Sequence, residues 1–169
     1  MFEISIIIPV YNESENLELL LGEIENNLQQ TFNYEIILVD DCSKDKTREI
    51  VNKIKLKNKI VYIKNNKNYG QSYSINKGIL NSKFNTVVTI DGDGQNNPKD
   101  IITLANYYFK NNEFSLVGGI RNKRKDSFVK IFSSRVANYV RSLIFQDNCK
   151  DTGCSLKVFS KDCYLKFPF

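Results

Sequence analysis

The chain predicts an α/β domain with a mostly parallel central sheet and helices on both faces, and three observations carry that expectation. Short apolar runs rich in β-branched residues alternate with segments of helical spacing. The runs are apolar throughout, as strands buried on both faces require. Acidic residues collect at the carboxyl ends of those runs, where open α/β sheets bind their ligands.

The elements follow in order. "ISIIIPV" reads as the first strand, and "NESENLELLLGEIENNL" sets Leu17, Leu20, Leu21, Ile24 and Leu28 on one helical face. Asn12 with Glu15 three positions later has the form of a capping box. "EIILVD" is the second strand, followed by a helix from Thr47 to Lys57; "KIVYIK" is the third, followed by a helix from Gln71 to Leu80. "TVVTID" is the fourth, and a helix opens at Pro98, with Asn97 as cap and proline suited to the first turn.

Composition narrows the chemistry. At 169 residues the chain suits one domain with one core. A hydrophobic fraction of 41% and a charged fraction of 25% are ordinary for a globular protein. The net charge of +5 hints at an anionic partner such as a nucleotide, a phosphate or a lipid surface. The absence of histidine excludes imidazole acid/base chemistry and histidine-ligated metal. Cys42, Cys149, Cys154 and Cys163 lack the spacing of a zinc site or a disulfide scaffold, so reduced thiols and a cytosolic setting are expected. The apolar run Ile4 to Val10 is too short to span a bilayer. The final "KDCYLKFPF" has no polar tail and no helix-terminating signal, which is expected of a piece of a longer chain.

The strand ends carry the candidate site. They are "PVYNE", "DDCS", "NYGQS" and "DGDGQ", and three of the four contain acids. Clustered carboxylates repel one another unless a hard cation or a hydrogen-bonding ligand lies between them. In an extended segment Asp91 and Asp93 point the same way, Gly92 admits a ligand to the backbone, and Gln95 could add an oxygen. Such an oxygen set suits Mg2+ or Mn2+ bridging to phosphates better than zinc. A tight turn using glycines at positive φ and Asx hydrogen bonds explains "DGDG" equally well from the motif alone.

"PVYNE", "EIILVDDCSKDKT", "NYGQSYSINKGI" and "DGDGQNNPKDI", in this order, resemble the family 2 glycosyltransferases of the GT-A fold. Within that family "GGIRNKRKDSFVKIFSSRVANYVRSLI" and "DTGCSLKVFS" resemble the dolichyl and polyprenyl phosphate sugar transferases. The resemblance spans essentially the whole chain. It implies a single catalytic domain over residues 1–169, continued in relatives by acceptor-loop residues and commonly by membrane helices.

By position, the resemblance places Pro9, Tyr11 and Glu13 around the donor's base and ribose, joined by Val39 and Asp41 at the second strand's end. Asp91 and Gly92 also fall at nucleotide positions, and Asp91, Asp93 and Gln95 on the metal-binding pattern. Arg121 and Arg135 match basic positions used for phosphate, and Asp151 an acid beside the transfer site, so Asp93, Arg121, Arg135 and Asp151 form the implied catalytic group. Core packing for Tyr11, helix capping for Asp40 and Asp41, and plain surface charge for the arginines stay open as structural alternatives. "DGDG" also departs from the acid, small, acid, apolar order of some relatives, which leaves the metal geometry open.

The implied activity is inverting, metal-dependent transfer of a sugar from a GDP- or UDP-linked donor to a polyprenyl phosphate at the cytoplasmic face of the membrane. An acceptor phosphate with a second pKa of about 6 is largely ionised near neutrality and needs no strong base. Residues 127–145 put Val129, Phe132, Val136, Tyr139, Val140 and Leu143 on one face behind a basic start. They form either an amphipathic helix for an anionic membrane surface or an ordinary core-facing helix. No nucleic-acid motif is present, and a homo-oligomer is compatible with this picture.

Three rival classes fit less well. A receiver domain would put its acid pair after the first strand, a nicotinamide enzyme would show GxGxxG there, and a nucleotidyltransferase a basic glycine-rich loop. The alternatives kept are a family 2 enzyme acting on a polysaccharide or other non-lipid acceptor, and a receiver-like signalling domain.

Overall fold

The structure, a computed structural model, describes residues 1–57, 60–111, 113, 115–120, 151 and 153–168. Its strands are β1 (Phe2–Val10), β2 (Phe32–Asp40), β3 (Ile60–Lys64), β4 (Thr86–Thr89), β5 (Leu116–Gly118) and β6 (Lys157–Ser160). Its helices are α1 (Ser14–Leu28), α2 (Thr47–Lys53), α3 (Gln71–Leu80), α4 (Lys99–Lys110) and the single turn α5 (Lys161–Tyr164). They build one six-stranded sheet in the order β3-β2-β1-β4-β6-β5. β1 to β4 are parallel where they pair, and β6 runs antiparallel to both β4 and β5.

Strand alternation sorts the core into two layers. Ile4, Ile6, Ile8 and Val10 of β1, with Ile36 and Leu38 of β2, pack against Leu17, Leu21 and Ile24 of α1, Val51 of α2, and Ile101 and Ala105 of α4. Ile7, Ile37, Val39, Val87 and Phe159 point to the opposite face and pack against Ile79 and Ile75 of α3. Successive side chains leave a strand on opposite sides, so an uninterrupted apolar run is what a strand covered on both faces needs. α3 approaches the sheet closely because Gly78 has no Cβ: one built there would run into the Ile7 side chain and lie 3.3 Å from Val39 Cγ2.

Two local expectations are corrected. The capping box at Asn12 and Glu15 does not form: Asn12 is left-handed (φ 58), and α1 starts after Glu13 with no side-chain cap. The Asn12 N–H donates to Ser43 Oγ (2.9 Å), and its Oδ1 accepts the Lys44 N–H (2.8 Å). The free N–H of Ser14 is met by Asp45 Oδ2 at 3.0 Å, from 31 residues away. α2 ends at Lys53 rather than Lys57, with Ile54 extended (ψ 126), and Ile54 and Leu56 both pack on the main core. Two apolar residues two apart share a face only in extended chain, so burying both ends the helix. α4 begins at Lys99, one residue past the expected Pro98, and Asn97 Oδ1 accepts the Lys99 N–H at 3.0 Å from just ahead of it.

Candidate functional site

The parallel strands β1, β2 and β4 all end at one edge of the sheet, and their following loops bound an open cleft of about 360 Å3. Pro9, Tyr11, Glu13, Asp41, Asp91, Gly92 and Asp93, up to 84 positions apart in sequence, line this single cleft. Tyr11 is 43% exposed at its wall, which rules out core packing for the ring.

The two adjacent aspartates of β2 divide their roles. Asp40 is fully buried: it accepts the Ser43 N–H (2.7 Å) and the Tyr62 hydroxyl proton, and lies 3.9 Å from Lys64 Nζ. It fixes the turn into α2. Burial and this bond to Asp40 push the Tyr62 hydroxyl well above its ordinary pKa.

Asp41 closes the cleft floor and is 4% exposed. Its Oδ1 accepts from Asn65 Nδ2 (2.8 Å) and the Tyr69 N–H (2.9 Å), and its Oδ2 from the Gly70 N–H (2.7 Å). Burial alone raises the carboxyl's pKa, but the bonds from Tyr69, Asn65 and Gly70 outweigh it and hold the group below the usual carboxylate range. Asn65 passes the link on, donating to Ser74 Oγ (3.0 Å) and accepting from Lys77 Nζ (2.9 Å). The loop between β3 and α3 therefore hangs on one carboxylate. Gly70 in it has φ 92, a conformation side chains rarely adopt.

Residues 91–94 form a turn rather than an extended segment, with Gly94 at φ 71 and Asp93 Oδ1 accepting the Gln95 N–H at 3.0 Å. Even so, both carboxylates stay half-buried on the same cleft. The turn and the pair of cleft-facing carboxylates are thus one structure. Gly92 is needed for packing: a Cβ there would sit 2.6 Å from Val10 Cγ1 and 3.3 Å from the Pro9 carbonyl.

Gln95 is exposed and lines a separate polar groove with Glu23, Asn26 and Asn97, away from the Asp91 and Asp93 cleft. Val39 is fully buried against α3, so its side chain does not line the cleft. Asp151 is buried and its Oδ1 accepts the Gly153 N–H at 3.2 Å. Arg121, Arg135, Cys149 and the segment 127–145 lie outside the described residues. Cys42, Cys154 and Cys163 are unbridged.

Five lining residues were given no role of their own from the sequence: Val10, and Asn68, Gly70, Gln71 and Ser74, which fall within the segment "NYGQSYSINKGI" after the third strand. Gln71 has the clearest link to the acids, its Nε2 donating to Asp91 Oδ1 at 2.5 Å. A second cleft of about 660 Å3 adjoins the first and shares Gln71 and Asp91 with it.

The electrostatics decide what the first cleft can take. Glu13, Asp41, Asp91 and Asp93 line it, and no lysine or arginine does among the described residues. An anionic ligand enters such a site only with a cation. The described residues hold no group of three or more acids or thiols placed to bind a metal alone. A pair of carboxylates on one turn, with ligand oxygens and water completing the shell, is how Mg2+ and Mn2+ commonly bind at phosphate sites. The donor set fits a hard divalent ion shared with the ligand.

Known proteins resemble this chain in sequence and in fold. An undecaprenyl-phosphate 4-deoxy-4-formamido-L-arabinose transferase from Edwardsiella ictaluri is 35% identical over 159 residues, 92% of this chain and 48% of its own length. A dodecaprenyl-phosphate galacturonate synthase from Rhizobium johnstonii is 33% identical over 163 residues, 93% of this chain and 47% of its own. The chain thus spans about half the length of these curated relatives.

Among solved structures, glucosyl-3-phosphoglycerate synthase from Mycobacterium tuberculosis, in complex with Mn2+, UDP and phosphoglyceric acid, matches with a TM-score of 0.78 at 16% identity, covering 99% of this chain and 59% of its own. A mannosyltransferase from Pyrobaculum calidifontis in complex with GDP-Man and Mn2+ matches at 0.68 and 18%, covering 98% and 47%. These likenesses establish the GT-A fold. The sequence pattern of glycosyl transferase family 2 matches residues 5–166, nearly the whole chain, and with the acids of its strand ends gathered on one cleft, the chain belongs to that family.

Proposed function

We propose that this domain transfers a sugar, with inversion, from a nucleoside diphosphate donor to a polyprenyl phosphate at the cytoplasmic membrane face, with Mg2+ or Mn2+. The observation that carries the proposal is the cleft with four carboxylates and no cationic lining residue among those described. Relatives at 35% and 33% identity named as polyprenyl-phosphate sugar transferases favour the lipid acceptor. Among the described residues no helix is long and apolar enough to cross a membrane.

Each residue then has a task. Tyr11 packs on the donor base or ribose, and Glu13, tied to Asn16 Nδ2 at 2.9 Å, keeps an oxygen available to a ribose hydroxyl. Asp41 fixes the Tyr69 and Gly70 amides and so shapes the wall beside the base. Asp91 and Asp93 would hold the metal, which when bound neutralises charge on the leaving diphosphate as a Lewis acid. Gln71 orients Asp91. Arg121 and Arg135 are proposed to hold phosphate and Asp151 to orient the acceptor side.

In the transfer an acceptor phosphate oxygen supplies the electron pair of the new bond to the anomeric carbon. The bond from that carbon to the β-phosphate oxygen breaks, and its pair leaves on the nucleoside diphosphate. The acceptor oxygen is already ionised, so no proton has to move.

Calorimetric titration with GDP and UDP, each with and without Mn2+, tests the donor half. One nucleotide is expected to bind only with metal. Binding of neither to a folded sample overturns the proposal.

A further inference from the structure

The second cleft has a different chemistry from the first. It lies on the α3 face beside β4 and β6, and its walls include Ile75, Leu116, Phe159, Tyr164 and Phe167. Leu116 and Phe167 are 53% and 70% exposed, so much of the apolar surface is open to solvent. One cation and one carboxylate line it among the described residues: Lys157, and Asp91 at the end it shares with the nucleotide cleft.

The sheet brings Lys157 close to that shared end. It opens β6 directly opposite Thr89, and opposed residues of an antiparallel pair lie on the same face. Thr89 is two residues before Asp91. The half-buried Lys157 side chain donates from Nζ to the Cys154 carbonyl. That anchor is itself braced, because Thr89 Oγ1 donates to the Ser155 carbonyl at 2.6 Å and Asn96 Nδ2 to Ser155 Oγ at 2.8 Å. An ammonium has three donors, so a held Lys157 still offers two.

A ligand for this cleft needs one anionic head near Lys157 and a long apolar body. A free sugar could use the Ser72, Ser115, Ser155 and Ser160 hydroxyls but would leave the open Leu116 and Phe167 surface uncovered, and a second nucleotide would bring more charge than one ammonium balances. A phosphate monoester of an isoprenoid alcohol matches both ends, with its head placed beside Asp91 and the donor diphosphate.

We propose that Lys157 binds the phosphate of the lipid acceptor in this second cleft; the proposal rests on the glycosyl-transfer function above. It gives the acceptor anion a fixed partner while it approaches the anionic donor, and gives the lipid the apolar walls beyond.

The test is titration of the chain, with Mn2+ and the nucleotide it binds, against farnesyl phosphate, farnesol and inorganic phosphate. Lys157→Met is expected to weaken farnesyl phosphate binding by roughly tenfold or more, the loss of one charge-assisted contact. Nucleotide binding and the weaker farnesol binding should be unchanged, which a merely structural role for Lys157 would not allow. Lys157→Arg should restore most of the affinity and Lys157→Gln should not.

If the wild-type chain binds farnesyl phosphate and both neutral variants bind it equally well, the Lys157 assignment is overturned and the acceptor class stands. If the wild-type chain binds nucleotide but no better to farnesyl phosphate than to farnesol or phosphate, the lipid-phosphate acceptor fails as well.

Discussion

Asp41→Asn is the most informative single change, because three donors converge on that buried carboxylate. An asparagine can turn its one oxygen toward Asn65 and Tyr69, but its amide then faces the Gly70 N–H, donor against donor. The Gly70 bond is lost and the other two lose their charge assistance. Bonds to a charged group contribute about 1.5–3 kcal/mol each, and a buried donor left unmet costs about 1–3 kcal/mol. A net loss of about 2–4 kcal/mol follows, a large part of the stability of a domain this size.

The pH dependence carries the same signature. Asp41's carboxyl is held below its ordinary 3.8, so its contribution is complete above that pH and fades as pH falls toward the folded-state value. Urea unfolding at pH 7 and at steps down to pH 3 measures both effects. Asp41→Asn should be markedly less stable at pH 7 and closer to wild type at pH 3. A variant within about 0.5 kcal/mol of wild type at pH 7 would show that the carboxylate does not hold the loop.

Asp45, whose carboxyl is lowered to about 2 against burial by bonds from Thr47 and Ser14, should contribute in the same sense. Its share is present above pH 3.8 and lost toward pH 2, so Asp45→Asn should flatten the acid limb of a stability profile in that window. Gly92→Ala drives a methyl into Val10 and should destabilise by about 1–3 kcal/mol in urea, with weaker nucleotide binding as the turn shifts. Ile24→Ala, at a fully buried position of α1, should cost about 2–5 kcal/mol in the same assay and leave the affinity of the folded fraction for nucleotide intact.

The repeating parts of this structure were legible in the sequence because they follow from local periods. Helix α3 has the expected limits, and Leu17, Leu20, Leu21, Ile24 and Leu28 are the buried face of α1. The misses involve partners far away in sequence. Asn12 had every local reason to cap α1, but Ser43 and Lys44 claim its amide and side chain. The end of α2 depends on a core that can bury Ile54 and Leu56 together. β5 and β6 are short, and pairing, of β6 with β4 and of β5 with β6, makes them strands more than any run of their own does.

The candidate site shows the same division. Pro9, Tyr11, Glu13, Asp41, Asp91 and Asp93 were legible because strand ends in an α/β sheet converge, and the cleft collects all six. Gln71 lay in the candidate segment "NYGQS", but its bond to Asp91 did not show in the sequence, nor did the place of Lys157 on the second cleft, since both come from facing residues across the fold. "DGDG" is a turn, and that turn still leaves both of its carboxylates on the cleft.

The central claim is that Asp91 and Asp93 hold a divalent ion together with a nucleoside diphosphate. Electron paramagnetic resonance of Mn2+ titrated with the protein and the bound nucleotide reads this directly, as loss of the free-ion signal. The wild-type chain should quench the signal with nucleotide and far less without it, and Asp91→Asn and Asp93→Asn should each return it to that of nucleotide alone. Equal quenching by wild type and both variants would contradict the account.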